Sequence, residues 1–139
     1  MNREMSEIIR QQKPLTMPPD TSVQEACKQM HARKAGAVLV VTERSRLSGI
    51  FTGRDAVRVL AKGKDPAATM LKDVMTKQPA CMPPHSTAIE ALRLMRDGGF
   101  RHVPVVRDDA VVGVVSRGDF RGLEQDRLDE ETGIWERMR

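Results

Sequence analysis

The sequence predicts a mixed fold of the α+β/α/β kind: two β-α-β-β-α repeats packed sheet to sheet. Three observations predict it. The 139-residue chain is self-similar, with Pro14-Leu-Thr-Met-Pro-Pro19 answering Pro79-Ala-Cys-Met-Pro-Pro84 and ten of 29 positions identical between 13–41 and 78–106. A second block, shifted by one residue in a loop, pairs Gly49 with Gly113, Thr52 with Ser116 and Asp55 with Asp119, so the chain is an internal duplication. The third observation is composition. Hydrophobic residues make up 40% and charged residues 30%, with aromatics at 3%, no Tyr and nine Met, which specifies a soluble chain with an aliphatic core. A unit of about 50 residues is too small to bury a sheet alone, so the two must share one core.

The elements follow in chain order. Residues 1–13 read as a short leading helix and 14–63 as the first repeat. Its first strand, around Leu15–Met17, stops at Pro18-Pro19, which cannot donate to a ladder. Ser22-x-x-Glu25 has the form of a capping box. Behind it Val23, Ala26, Cys27 and Met30 fall on one helical face. A Val-rich strand over 37–41, a polar turn over 42–46 and a second strand over 47–52 come next. A helix from Asp55 then runs to the stop signal Gly63. Residues 64–77 read as a linker and 78–123 as the second repeat. The same order recurs there: a strand at Ala80–Met82, a box at Thr87-x-x-Glu90, a helical face of Ala88, Ala91, Leu92 and Met95, strands over 102–106 and 111–116, and a helix from Asp119. Residues 124–139 form a charged tail whose acidic stretch, Glu124 to Glu131, serves as a solvated face or a docking edge.

Composition also excludes. The formal charge is +4 with a pI near 9.4, but the basic excess lies in residues 1–77, scattered and without a run, and 78–139 are net acidic. Helix-turn-helix, zinc-finger and aromatic-strand signatures are missing, so nucleic-acid binding is disfavoured. No Ser-His-Asp or Cys-His arrangement and no metal spacing is legible, which argues against an enzyme and against a metal site. Cys27 reads as a buried thiol, the Met residues as adaptable packing, and His31 and His85 as surface residues. The longest apolar run, 35–41, is far below membrane-spanning length. With no signal-peptide pattern at the N-terminus, a cytoplasmic protein is expected.

The duplicated Thr52-Gly-Arg-Asp55 and Ser116-Arg-Gly-Asp119 carry the chemistry. Each ends a strand and opens a helix, where free backbone N–H groups and the dipole favour a phosphate. The hydroxyl adds a donor, and Asp55 or Asp119 can accept from a ribose cis-diol. Arg54 or Arg117 can neutralise a phosphate, and Gly49 and Gly113 leave room for a base beside the backbone. The same pattern is also an ordinary helix cap with an acidic residue in the first turn; the two roles are compatible.

These residues resemble the cystathionine β-synthase (CBS) domain family, as a free-standing tandem pair, or Bateman module, over roughly residues 8–123. The carriers are Val74-Met-Thr76 leading into Pro79, the Pro-Pro-x-x-Thr-x-x-Glu-Ala stretch, Phe100-Arg-His-Val-Pro-Val-Val106, Gly49-Ile-Phe-Thr-Gly-Arg-Asp55 and Gly113-Val-Val-Ser-Arg-Gly-Asp119. The resemblance implies a regulatory module that binds an adenosine-containing compound (AMP or ATP foremost, otherwise ADP, NAD(H) or an S-adenosyl species) in clefts between the units. It requires no other cofactor, dimerises, and acts on a partner protein in trans; a ligand-free dimerisation scaffold is the alternative. It also implies ligand contacts from Thr76, Ala37, Arg101 and His102, the last two at a phosphate. His102 can equally be a satisfied half-buried residue. The first repeat has Gly36-Ala37 where the second has Arg101-His102, and Leu39 where the second has Pro104. The functional cleft is therefore expected at the second repeat: Asp119 on the ribose, Ser116 on a ribose or phosphate oxygen, and Arg101, His102 and Arg117 near the phosphates. A homodimer is expected through Ala56, Val59, Leu60 and the 23–33 helix, and His102 is expected to titrate near neutrality.

Overall fold

A computed structural model describes residues 3–120. The tail and most of the helix expected after Asp119 lie outside the described residues. In the first unit, strand β1 (Thr16–Met17) precedes helix α2 (Val23–Arg33), strands β2 (Ala37–Val41) and β3 (Leu47–Thr52), and helix α3 (Gly53–Ala61). Helix α1 (Met5–Ile8) leads in. Helix α4 (Leu71–Val74) and strand β4 (Thr76–Lys77) occupy the stretch read as a linker. The second unit contains helix α5 (Ala88–Gly98), strands β5 (His102–Arg107) and β6 (Ala110–Ser116), and a closing 3-10 turn over Arg117–Asp119.

The two boxes cap as their sequences dictate: the Ser22 hydroxyl accepts from the Glu25 N–H at 3.1 Å and that of Thr87 from Glu90 at 3.4 Å. Helix α3 ends at Gly63, whose φ of 71° suits glycine; the Lys64 N–H reaches back to the Val59 carbonyl at 3.2 Å. The first sheet has strand order β1-β2-β3-β4, with β1 and β2 parallel and the other neighbours antiparallel. In the second unit β5 and β6 pair antiparallel, and the strand expected at 80–82 is reduced to a single bridge between Met82 and Val105. Proline explains the loss. Leu39 donates to the Leu15 carbonyl at 2.9 Å, but its counterpart Pro104 has no N–H to give.

The sheets face each other across a layer of Ala37, Leu39 and Ile50 with Leu47, Val111 and Val114. Their outer faces are covered by helices. Val23, Ala26 and Met30 of α2 meet Val38, Val40 and Phe51, while Ala91, Leu92 and Met95 of α5 meet Val103, Val105 and Val115. Burial on both faces explains why β2 and β5 read as unbroken apolar runs. A bulge in each hairpin, between Val40 and Val41 and between Val105 and Val106, shifts the alternation by one residue. Leu47 and Ile50, and likewise Val111 and Val114, thereby reach the same face.

The lead-in segments are exchanged between units. Residues preceding the first unit pack on the second: Met5 and Ile9 are buried with α5, β5 and β6, and the Gln12 amide exchanges two 2.7 Å hydrogen bonds with the backbone of Val114. Residues preceding the second unit pack on the first, where Leu71 is buried and β4 pairs with β3. This exchange corrects the role expected for two glycines. A Cβ on Gly49 would strike Met75 and the Thr76 carbonyl within 2.9 Å, and one on Gly113 would strike Ile9. These glycines admit the lead-ins, not a nucleobase. We expect Met5→Ala to lower the unfolding free energy by about 2–5 kcal/mol in urea titration, with amide-exchange protection lost first over 88–116. A change below about 0.5 kcal/mol would remove the lead-in from that core.

Candidate ligand-binding cleft

A cleft of about 470 Å³ opens between the units, within the range of small-molecule sites. One wall is the end of β3 and the start of α3: Ile50, Thr52, Gly53, Arg54, Asp55 and Arg58. The facing wall is the approach to β5, Gly99 to His102. Gly36, Thr76 and the Gln78-Pro79-Ala80 segment complete the lining. Both walls are placed by backbone ladders. Ala37 pairs with Thr52 and His102 with Ser116, and just beyond them Gly53 donates to the Gly36 carbonyl (3.2 Å) and Arg117 to that of Arg101 (2.9 Å).

Asp55 is the cleft's anchor. It is 5% exposed, and a buried carboxylate must be satisfied by donors. Its Oδ2 accepts from the Thr52 N–H at 2.9 Å and the Thr52 hydroxyl at 3.2 Å, while its own N–H donates to Thr52 Oγ1 at 3.4 Å. This reciprocal capping box holds the first turn of α3 in place. Its other oxygen, Oδ1, accepts from Arg58 Nη1 at 3.2 Å. Among the described lining residues three arginines, Arg54, Arg58 and Arg101, stand with this one carboxylate, so the described lining carries an excess of positive charge. Phe100, with Ile50, Pro79 and Ala80, supplies apolar wall. The Phe100 ring lies so close over Gly98 that a Cβ there would overlap it.

Thr52, Arg54, Asp55, Thr76, Arg101 and His102 thus converge as lining residues, and four other expected positions do not line this cleft. Ala37 is buried between the sheets; its neighbour Gly36 lines the cleft instead. Ser116, Arg117 and Asp119 close the neighbouring strand β6 beside His102 and Arg101 without lining the cleft; there Asp119 Oδ2 accepts from the Ser116 N–H at 2.7 Å and from the Ser116 hydroxyl at 3.3 Å. Asp119 is thus near Arg101 and His102, and its charge acts on the imidazole, but of the three only Arg101 and His102 line this cleft. The strand start of the second unit faces the helix start of the first, because the units meet sheet to sheet and each contributes a different element to the cleft. Arg58 was missed although it follows Asp55 by one helical turn. Phe100, Gln78, Pro79 and Ala80 were missed because only the tertiary fold brings them there.

His102 also departs from expectation. Its ring packs against Gly36, where a Cβ would come within 2.8 Å of Nε2. Burial pushes its pKa below the usual histidine value, Arg101 adds to the depression, and Asp119 opposes it. The imidazole is thus held toward its neutral form, and titration near neutrality is corrected downward. Burial likewise pushes the Cys27 thiol up. The outward face expected on α3 is corrected too: Val59 is buried, and Val57 and Leu60 are the exposed residues. Among the described residues no group of three His, Cys, Asp or Glu could hold a metal ion, and no helix is long and apolar enough to cross a membrane.

Comparison with known proteins follows the duplication. The family model described as "CBS domain" matches twice, over residues 5–62 and 71–125. The CBS domain-containing protein CBSCBSPB3 of Arabidopsis thaliana is 42% identical over 108 residues, which are 77% of this chain and 19% of that protein; the chain thus spans about a fifth of the length of that relative. The structure of the CBS-domain containing protein ATU1752 from Agrobacterium tumefaciens is similar at a TM-score of 0.76 and 32% identity, covering 84% of this chain and 95% of that one. The CBS domain protein PAE2072 from Pyrobaculum aerophilum, complexed with AMP, shares the fold at a TM-score of 0.82 and 20% identity, covering 92% and 99%.

The lowered His102 pKa has a sign that can be tested. The unfolded chain binds the proton more readily, so the stability associated with a neutral His102 is present above about pH 6.5 and is lost as pH falls through the folded value. We expect the ligand-free protein to melt at a lower temperature as pH drops from 7 to 5, and His102→Gln to make that decline shallower. Parallel pH profiles for the two proteins would show that the imidazole titrates as if unburied.

Proposed function

Since the chain belongs to the CBS domain family, we propose that it is a regulatory module that senses an adenosine-containing nucleotide and signals to a partner protein in trans. One observation carries this reading: the Thr52–Asp55 capping box of the first unit faces Arg101 and His102 of the second across one cleft. In this reading Asp55 receives the ribose hydroxyls, and Thr52 with the N-terminus of α3 meets a phosphate. Arg54 and Arg101 neutralise the phosphate, and the base lies along Ile50, Pro79, Ala80 and Phe100. The AMP seen with the Pyrobaculum protein is in keeping with such a ligand. Binding without catalysis suits the site, because the one carboxylate among its described lining residues, Asp55, is committed to a cap and an arginine. Regulation follows from population shift: a ligand held by both units favours the arrangement that holds it best.

A homodimer is part of the proposal. Val57 and Leu60, 66% and 64% exposed, stand one helical turn apart on the outer side of α3, the kind of apolar surface that a twofold contact covers. Light scattering at micromolar concentration should give twice the chain mass, and Leu60→Glu should halve it; a wild-type monomer would refute the dimer.

The ligand reading is tested by thermal shift with AMP, ADP, ATP, NAD(H), adenosine and S-adenosylmethionine. Ligand at a hundredfold its Kd should add about 2.7 kcal/mol of stability. Asp55→Ala should abolish the shift while lowering ligand-free stability by a cap's worth, about 0.5–2 kcal/mol, and Asp119→Ala should leave a shift. A flat panel for the wild type would favour a ligand-free scaffold, and loss of the shift in Asp119→Ala alone would move the site to the Ser116–Asp119 turn.

A further inference from the structure

We propose that Arg58 is a specificity-determining residue of the cleft: it occupies the ribose acceptor Asp55 and releases it to a ligand whose phosphate takes the guanidinium in exchange. The proposal rests on the reading of the cleft as a nucleotide site and adds to it a rule for which nucleotides enter. A carboxylate offers about four acceptor positions. On Asp55, Oδ2 already serves the Thr52 N–H and hydroxyl, and those bonds hold the start of α3. A ribose diol must therefore use Oδ1, and Oδ1 is where Arg58 sits, at 3.2 Å. Oδ1 has two such positions and Arg58 takes one, so a diol that donates both hydroxyls there competes with Arg58 for the second.

The competition is easily tipped. The Arg58 side chain is 55% exposed while that of Asp55 is 7% exposed, and both residues line the cleft, so a guanidinium that reaches solvent is paired with a buried carboxylate. A half-exposed pair of this kind is weak, screened by water and salt. A phosphate is a better partner, since it accepts the planar fork with two charge-assisted bonds. An uncharged nucleoside offers nothing in return. It must either leave one position of Oδ1 to Arg58 or displace Arg58 toward Arg54 and Arg101, which line the same cleft. A sulfonium ligand is worse, because it brings another positive charge to three guanidinium groups. The cleft therefore takes phosphorylated adenosine compounds and discriminates against adenosine and S-adenosylmethionine, with Arg58 setting much of the difference.

Titration calorimetry of wild type, Arg58→Met and Arg58→Lys with adenosine, AMP and S-adenosylmethionine tests this. Wild type should bind AMP more than tenfold more tightly than adenosine. Arg58→Met should weaken AMP about tenfold, the worth of one charge-assisted contact, and strengthen adenosine severalfold because Oδ1 is vacated. Arg58→Lys, which keeps the charge and loses the fork, should show both changes with the same signs at smaller size, and it carries the test if Arg58→Met does not fold. Opposite movement of the two ligands is the signature, since a merely structural residue would weaken both together. Parallel losses, or no change in either ligand, overturn the proposal while the nucleotide reading stands. A wild-type protein that binds neither AMP nor adenosine overturns the reading itself, and the Arg58 rule with it.

Discussion

The apolar layer between the two sheets is the constraint on which the rest of the molecule depends. Ala37, Leu39 and Ile50 of one unit face Val111 and Val114 of the other, and neither sheet has another way to bury its inner face. Once these side chains meet, the strand ends of the two units are brought side by side and the cleft exists as a consequence. The bulges belong to the same constraint, because without the extra residue Leu47 and Val111 would point at the helices. A protein interior tolerates few voids, so the layer also makes the cleft a preformed feature with walls on both units.

The difference between the repeats is complementary. The first repeat carries Gly36-Ala37 at the positions where the second carries Arg101-His102. The absence of a side chain at Gly36 is what the His102 ring needs, since a Cβ there would lie 2.8 Å from Nε2. A symmetric pair of bulky residues would collide at the junction. Loss of bulk in one unit is thus the condition for a functional side chain in the other, and the duplication can afford one elaborated cleft wall because its counterpart has been simplified. The Thr52–Asp55 box shows a comparable economy: the bonds that start α3 also orient the carboxylate toward the cleft.

Much of this was legible in the sequence. The repeat, the Ser22 and Thr87 caps and the apolar strand runs are local signals, and the elements appear within a residue or two of where those signals put them. Thr52, Asp55, Arg101 and His102 stood out because they sit at strand ends inside a duplicated pattern. What could not be read was which strand end faces which helix start. That is a relation between repeats with nearly identical patterns, and no local signal orders it. The exchange of lead-ins escaped for the same reason, as did the true work of Gly49 and Gly113, because a glycine's neighbour in space is not written beside it in the chain. The downward pull on His102 arises from burial and from Arg101, and burial is a product of the completed fold. Phe100 is one of three phenylalanines, and nothing local distinguishes it from Phe51, which is fully buried.

The exchanged lead-ins bear on how the chain comes to be folded at all. Residues 3–12 leave the ribosome before any part of the surface they complete, since α5, β5 and β6 follow them in the chain. Arg3 hydrogen-bonds the Asp119 carbonyl 116 residues away, and Gln12 bonds to Val114 at a separation of 102. Such distant pairings slow folding, because the loop must close before the contact is gained. The first unit can gather α2, β2 and β3 while synthesis continues, as nascent domains generally do. Met5 and Ile9 can reach their places only after strand β6 is made, so completion of the second core follows that of the first, and residues 3–12 act as the clasp that closes it.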